Sequence, residues 1–235
     1  MLIMLLIYAY KKIFKNSNFV DRIAAFSRIG FKIKYIIPFF LLSMSSSDKE
    51  VPKVEKVSFS IIKKNSTIGY IDIEKQSLNE TTTYIINSEV NAKVIFNFNA
   101  IGKEKSIYKK DTLIYSSIYR RLNNKVKLNQ SLSFINGKYL LKEENKNELL
   151  NIDIINRNLV TLFFNEPNGI QEIYTDKYKQ MVKIDPIGDR KYKLILPNKS
   201  INIYHYENGK CTTIDVVGSF FKVKLILNIK NYQKN

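Results

Sequence analysis

The chain has 235 residues, a net charge of +17, one cysteine and one histidine. A single cysteine excludes an intramolecular disulfide framework, so the fold must be stabilised by burial of apolar side chains. Residues 1–47 carry seven of the 38 basic and one of the 21 acidic residues, which leaves a net charge of +11 on the remainder.

Residues 1–31 form an apolar and then basic N-terminal extension, "MLIMLLIYAYKKIFKNSNFVDRIAAFSRIGF". Apolar residues recur at helical spacing in its second half, which predicts a helical extension. One interpretation is an amphipathic helix that anchors an uncleaved N-terminus at the membrane surface. The other, which we favour, is that the gene start is placed too far upstream and that translation truly begins near Phe31 on a non-Met codon, just before an export signal.

Residues 32–47 have the order of charge and hydrophobicity that is typical of a secretory signal. Two lysines precede the eight-residue apolar run Tyr35–Leu42, and Ser43-Met44-Ser45 follows it as a small-x-small cleavage site. A helix needs about 20 apolar residues to cross a bilayer, so the run is too short to span a membrane. A buried strand or a core helix is the alternative. We expect cleavage here, export to the periplasm or cell surface, and no membrane span in the mature domain.

Residues 48–235 are expected to form a single, mainly β domain. Period-two alternation recurs along this part of the chain, as in "KVIFNFNA", where Val94, Phe96, Phe98 and Ala100 share a face, and in "KVKLNQSLSF", where Val126, Leu128, Leu132 and Phe134 do. Such alternation with frequent turn signals predicts an antiparallel meander that forms a curved sheet, half-barrel or open barrel.

Two-residue turns fix the expected register of the hairpins. Asn136-Gly137 should pair Ile135 with Lys138, Phe134 with Tyr139 and Leu132 with Leu141. Similar turns are expected at Lys64–Thr67, Pro186–Asp189, Pro197–Lys199 and Asn208-Gly209. The last strands should point Tyr192, Leu194, Leu196, Phe221, Val223, Leu225 and Leu227 inward.

One segment departs from the strand period. Leu159, Leu162 and Phe163 lie at helical spacing after Asn156, a possible N-cap, and Pro167 and Gly169 follow. The pattern predicts one short helix near residues 156–164. This helix either fills the concave face of the sheet or leaves an apolar cavity there.

Three stretches resemble a known family: "KKNSTIGYIDI", "LFFNEPNGIQEIYTD" and "KYKLILPNKSINIYHYENGK". They are similar to motifs of an uncharacterised, secreted, β-rich family of unknown function that is common in flavobacteria. The resemblance spans about Val57 to Leu227 and implies fold and export, but no activity. A more distant similarity links the expected fold to half-barrels of the lipoprotein-carrier type.

The sequence offers little catalytic chemistry. An Asn208-Gly209 turn pairs Tyr206 with Cys211 and His205 with Thr212, which places His205 and Cys211 on opposite faces, out of reach of each other. Asp72 and Glu74, two apart on one strand, are expected on a solvated face. Metal-ligand clusters and glycine-rich phosphate loops are missing from the sequence. We expect neither an enzyme nor a cofactor.

Two functional hypotheses remain. The first is a non-catalytic envelope protein that binds a lipid-like ligand on the concave face, with Phe163, Phe164 and His205 as the candidate ligand-binding residues. It requires an apolar cavity of several hundred Å³. The second is an interaction module whose basic face meets an acidic envelope partner. Neither hypothesis involves nucleic acid, and the sequence leaves the oligomeric state open.

Overall fold

The computed structural model describes residues 51–93, 97–219, 221–228 and 233–234. Both predicted N-terminal segments, residues 1–31 and 32–47, and the predicted inward residues Val94 and Phe96 lie outside this range. The described elements are β1 (Lys53–Lys63), β2 (Ser66–Leu78), β3 (Thr81–Lys93), β4 (Asn97–Lys109), β5 (Thr112–Leu122), β6 (Lys125–Ile135), β7 (Lys138–Glu143), β8 (Lys146–Leu150), a 3₁₀ helix (Leu159–Phe163), β9 (Glu172–Thr175), β10 (Gln180–Pro186), β11 (Lys191–Ile195), β12 (Ile201–Glu207), β13 (Lys210–Gly218), β14 (Phe221–Leu227) and β15 (Gln233–Lys234).

All these strands belong to one antiparallel sheet. Consecutive strands pair from β1 to β8 and from β9 to β14, and β1 pairs with β14, so that Phe59 lies opposite Leu227. The short β15 also pairs with β1. The two edges of the sheet are β8 and β9, which follow each other in the sequence. The predicted mainly β meander forming an open, curved sheet is therefore confirmed.

The tight turns explain why the hairpins form where they do. Both residues of the Lys64-Asn65, Lys110-Asp111, Asn123-Asn124, Asn136-Gly137 and Asn208-Gly209 turns have positive φ angles. This geometry matches the twist of the flanking strands, and asparagine, aspartate and glycine tolerate it best. The predicted register around Asn136-Gly137 is confirmed, since Ile135 pairs with Lys138 and Leu132 with Leu141.

β-Bulges interrupt the pairing and bend the sheet. Register shifts occur in the β1–β2, β4–β5, β5–β6 and β12–β13 pairs. One of them explains a wrong prediction: beyond the bulge at Arg120 and Arg121, Val126 pairs with Arg121 and is 54% exposed instead of pointing inward. Beside another bulge, a Cβ on Gly69 would lie 2.1 Å from the Glu89 carbonyl oxygen, so the strands approach closely because residue 69 is glycine.

The core lies on the concave face, where alternate strand side chains meet. Phe59, Ile61, Leu113 and Leu194 are completely buried there. Tyr192, Leu194, Leu196, Val223 and Leu225 are buried as predicted, and Phe221 and Leu227 pack against the core. In the part of the chain that the structure describes, no helix has the length and hydrophobicity to span a bilayer.

Candidate functional site

Residues 151–171, which we call the crossing segment, connect the two edge strands across the concave face. The Tyr206 hydroxyl on β12 donates to the Leu162 carbonyl oxygen at 2.7 Å. Phe163 packs edge-on against Phe59 of β1, with ring centroids 5.3 Å apart. Phe164 packs against Tyr84 of β3 at 5.6 Å. The segment thus contacts strands from both halves of the sheet and fills the space between them.

The helix of the crossing segment is shorter than predicted and starts later. It is a 3₁₀ helix over Leu159–Phe163 with Asn158, not Asn156, at its N-cap. The Asn158 side chain makes no capping bond, and the Thr161 hydroxyl donates to the Asn158 carbonyl oxygen at 2.8 Å instead. Helical spacing alone could not reveal this, because tertiary hydrogen bonds occupy the Asn158 side chain.

Asn158 connects the crossing segment to buried polar groups of the sheet. Its amide nitrogen donates to Ser106 Oγ at 2.9 Å and to Asp176 Oδ2 at 2.8 Å. Its amide oxygen accepts a 2.8 Å hydrogen bond from the Tyr108 hydroxyl. Asn158 is 1% exposed. A buried side chain with three partners holds its segment in one position.

Asp176 belongs to a buried ionic cluster that also contains Glu104 of β4 and Arg120 of β5. Arg120 Nη2 forms a salt bridge with Glu104, and all three side chains are buried. Gln130 Nε2 on β6 donates to the Asp176 main-chain oxygen at 2.7 Å. The cluster links β4, β5, β6 and the turn after β9 on the inner side of the sheet.

Burial dominates the electrostatics of this cluster. It raises the pKa of the Asp176 carboxyl, although Asn158 and Arg120 favour its charged form. Burial also lowers the pKa of Arg120 to about 9. The pKa of nearby Lys177 is lowered to about 8, mainly by burial and to a smaller extent by repulsion from Arg120. At neutral pH the arginine therefore remains the cationic centre of the cluster.

The sequence pattern did not indicate this cluster. Glu104 and Arg120 occupy positions that alternation assigns to the inner face, in line with Ala100 and Leu122. A charged residue at an inward position is the signal that could have revealed them, because buried charges require partners. The partners of these charges could not have been assigned from the sequence. Asn158 lies on the crossing segment, and Asp176 follows β9 in the other half of the sheet.

The three predicted ligand-binding residues do not come together. Phe163 and Phe164 lie on the crossing segment, whereas His205 lies on the outer face of β12, with its Nε2 2.8 Å from Asp215 Oδ2. The cavity beside Phe163 has a volume of about 20 Å³, room for one water molecule. The crossing segment occupies the space that a lipid-like ligand would need.

His205 and Cys211 point to opposite faces, as predicted. Cys211 is 1% exposed in the core, and burial raises the pKa of its thiol. Tyr206 pairs with Cys211 as expected, but His205 pairs with Thr213 and not with Thr212, because a bulge intervenes. The predicted pairing of His205 was wrong by one residue, and the predicted faces were right.

The outer face of β4–β7, which we call the basic face, is uniformly positive. Among the described residues, every ionisable side chain other than tyrosine that points outward from these four strands is basic. They include Lys103, Lys105, Lys109, Arg121, Lys138 and Lys142. None of them has a salt bridge within the described part of the chain. Elsewhere on the outer surface some lysines pair with acids, as Lys183 does with Asp185.

A groove of about 270 Å³ adjoins the basic face on β2–β4. Its lining includes the side chains of Tyr70, Asp72, Asn87, Glu89, Ile101 and Lys103. Asp72 is exposed as expected. Its predicted companion Glu74 lies outside the groove, where it accepts a hydrogen bond from Gln76 and pairs with Lys56 at 3.3 Å. Of the two predicted carboxylates, Asp72 alone lines the groove, together with residues of β3 and β4.

Comparison with known proteins places the chain among uncharacterised β-rich domains. It is similar to the crystal structure of a β-barrel-like protein of domain of unknown function DUF1849 from Brucella abortus, at 10% identity and a TM-score of 0.46, over 79% of this chain and 98% of that one. No curated protein matches the chain. The family model described as domain of unknown function DUF6134 matches residues 59–228, close to the span of the predicted resemblance. The chain belongs to the DUF6134 family of domains of unknown function.

Proposed function

We propose that the protein is an exported, non-catalytic binding module whose basic face contacts an acidic partner at the cell envelope. The observation that carries this proposal is the charge distribution on β4–β7, where the outward-pointing charges are all positive and form no salt bridge among the described residues. Unpaired cations on one face raise the local concentration of an anionic partner and speed its association. The occupied concave face favours this function over binding of an apolar ligand.

Arg121 on the basic face favours a partner that carries hydrogen-bond acceptors. The Arg121 guanidinium on β5 makes no salt bridge among the described residues. An arginine fork is well suited to carboxylate or phosphate oxygens. Lys103 extends from the neighbouring strand β4, two residues from Lys105. An anionic group near Arg121 would thus meet several donors.

Charge reversal on matched strands tests the proposal. Retention of the full chain on immobilised polygalacturonate or polyglutamate should fall strongly for Lys103→Glu/Lys105→Glu, and its dependence on salt concentration should become weaker because fewer cations take part. The control is Lys191→Glu/Lys193→Glu, which reverses two outward lysines with the same spacing on β11. Equal losses for both double variants would show a net-charge effect and would contradict a specific basic face.

Export is tested separately from binding. The proposal rests on the basic, apolar and small-residue order of residues 32–47. N-terminal sequencing of the protein from its native source should begin near Ser46, and the protein should be recovered from the periplasmic or surface fraction. An intact N-terminus in the cytoplasmic fraction would contradict export without affecting the basic face.

A further inference from the structure

The groove and the basic face form one continuous outer strip across β2–β5. The strand register aligns Tyr70 with Glu89, Ile101 and Arg121 in one row. The adjacent row aligns Asp72 with Asn87, Lys103 and Tyr119. With strands about 4.8 Å apart, each row is about 14 Å long. The strip runs from carboxylates on β2 and β3 to cations on β4 and β5.

This mixture of charges selects against a partner that is only anionic. The carboxylates of Asp72 and Glu89 repel further negative charge, but they are good acceptors for hydroxyl groups. Asn91 Nδ2 donates to Glu89 Oε1 at 2.8 Å and orients this carboxylate. The complementary ligand therefore carries hydroxyl groups that face Asp72 and Glu89 and acidic groups that face Lys103 and Arg121.

The groove also offers a flat apolar surface. Tyr70 is 52% exposed, a large fraction for a tyrosine in the middle of a strand. Its ring can pack against a small ring that is apolar on its face and polar at its rim, and the Tyr70 hydroxyl remains available for a hydrogen bond. At about 270 Å³ the groove lies just below the roughly 300–1,000 Å³ of drug-sized sites, a size suited to one such ring.

We propose that the strip binds an acidic polysaccharide, with one sugar ring on Tyr70, its hydroxyls on Asp72 and Asn87, and its acidic group on Lys103. This inference rests on the proposed function and names the chemical class of the partner. The hydroxyls of each sugar unit contact the carboxylate end of the strip, and its acidic group contacts the basic end. An acidic peptide would use the basic end alone, and a neutral glycan the carboxylate end alone.

Paired probes separate this inference from the broader proposal. Polygalacturonate carries rings, hydroxyls and carboxylates, whereas polyglutamate of matched charge carries carboxylates alone. The full chain should bind polygalacturonate more tightly. Tyr70→Thr should weaken polygalacturonate binding about three- to tenfold and leave polyglutamate binding unchanged. Tyr70→Phe should retain binding because it keeps the ring. Asp72→Ala provides a second test if Tyr70→Thr does not fold, as judged by circular dichroism.

The possible results point in different directions. Equal binding of both polymers, with no effect of Tyr70→Thr or Asp72→Ala, would overturn the polysaccharide and leave the acidic-partner proposal standing. Tighter binding of a single-stranded RNA oligonucleotide with loss on Tyr70→Thr would also overturn it, since Tyr70 would then stack on a base. If neither polymer nor RNA is retained, the proposed function fails as well.

Discussion

Asn158→Ala should destabilise the domain far more than any other single polar truncation in the crossing segment. The substitution removes three hydrogen bonds, to Tyr108, Ser106 and Asp176, from a residue that is 1% exposed. Each bond contributes about 1 kcal/mol net, and the buried partners that are left unpaired add to the cost. We expect a loss of about 3–5 kcal/mol, a large part of the roughly 5–15 kcal/mol of a typical domain.

Urea unfolding followed by circular dichroism measures this loss, with Asn156→Ala as the control. Asn156 lies two residues earlier and is exposed, so its truncation should change the free energy of unfolding by less than about 0.5 kcal/mol. Proteolysis within residues 151–171 should also accelerate in Asn158→Ala, because the segment loses its attachment. Equal stabilities of the two variants would refute the argument that Asn158 holds the crossing segment in place.

Three further substitutions test other parts of the structure. Gly69→Ala should cost about 1–3 kcal/mol because its Cβ would collide with the Glu89 carbonyl oxygen, and a wild-type thermal midpoint would contradict that close approach. Leu132→Asp should unfold the domain since Leu132 is 3% exposed, whereas Ser131→Asp on the outer face should be nearly silent; similar thermal midpoints would mean that the register is shifted. The pKa of Asp176 is raised in the folded state, so protonation of this carboxyl stabilises the fold. This contribution is complete below the ordinary aspartate pKa of 3.8, and it is lost as pH rises through the folded-state pKa. Wild type should therefore gain stability relative to Asp176→Asn as pH falls, and parallel pH profiles in urea unfolding would contradict this.

The local hairpins could be predicted because their information is contained in a few neighbouring residues. Asn136-Gly137 determines both the turn and the register, so the turn alone was enough to place Leu132 and Leu141 on the inner face. Bulges follow weaker signals. The extra residues near Val126 and Thr212 change which side chain faces outward, and simple alternation cannot locate them.

Long-range contacts were beyond the sequence pattern. Pairing of β1 with β14 and the path of the crossing segment bring together residues that are far apart in the chain. The ionic cluster depends on both, since Glu104 and Arg120 come from one half of the sheet and Asp176 from the other. The sequence showed that the domain is basic, but it could not locate the basic face. That face depends on which lysines share the outer side of four strands.

Pairing of the first and fourteenth strands has a consequence for the order of folding. The Ser60 hydroxyl donates to Asn228 Oδ1 across a separation of 168 residues, whereas most other strand pairs close short hairpins. Loop-closure entropy makes such a distant contact slow to form, so we expect two hairpin arrays to assemble before they join. Until they join, the free edges of β1 and β14 can pair with another molecule. Refolding yield should therefore fall as protein concentration rises, even though each hairpin forms independently of concentration.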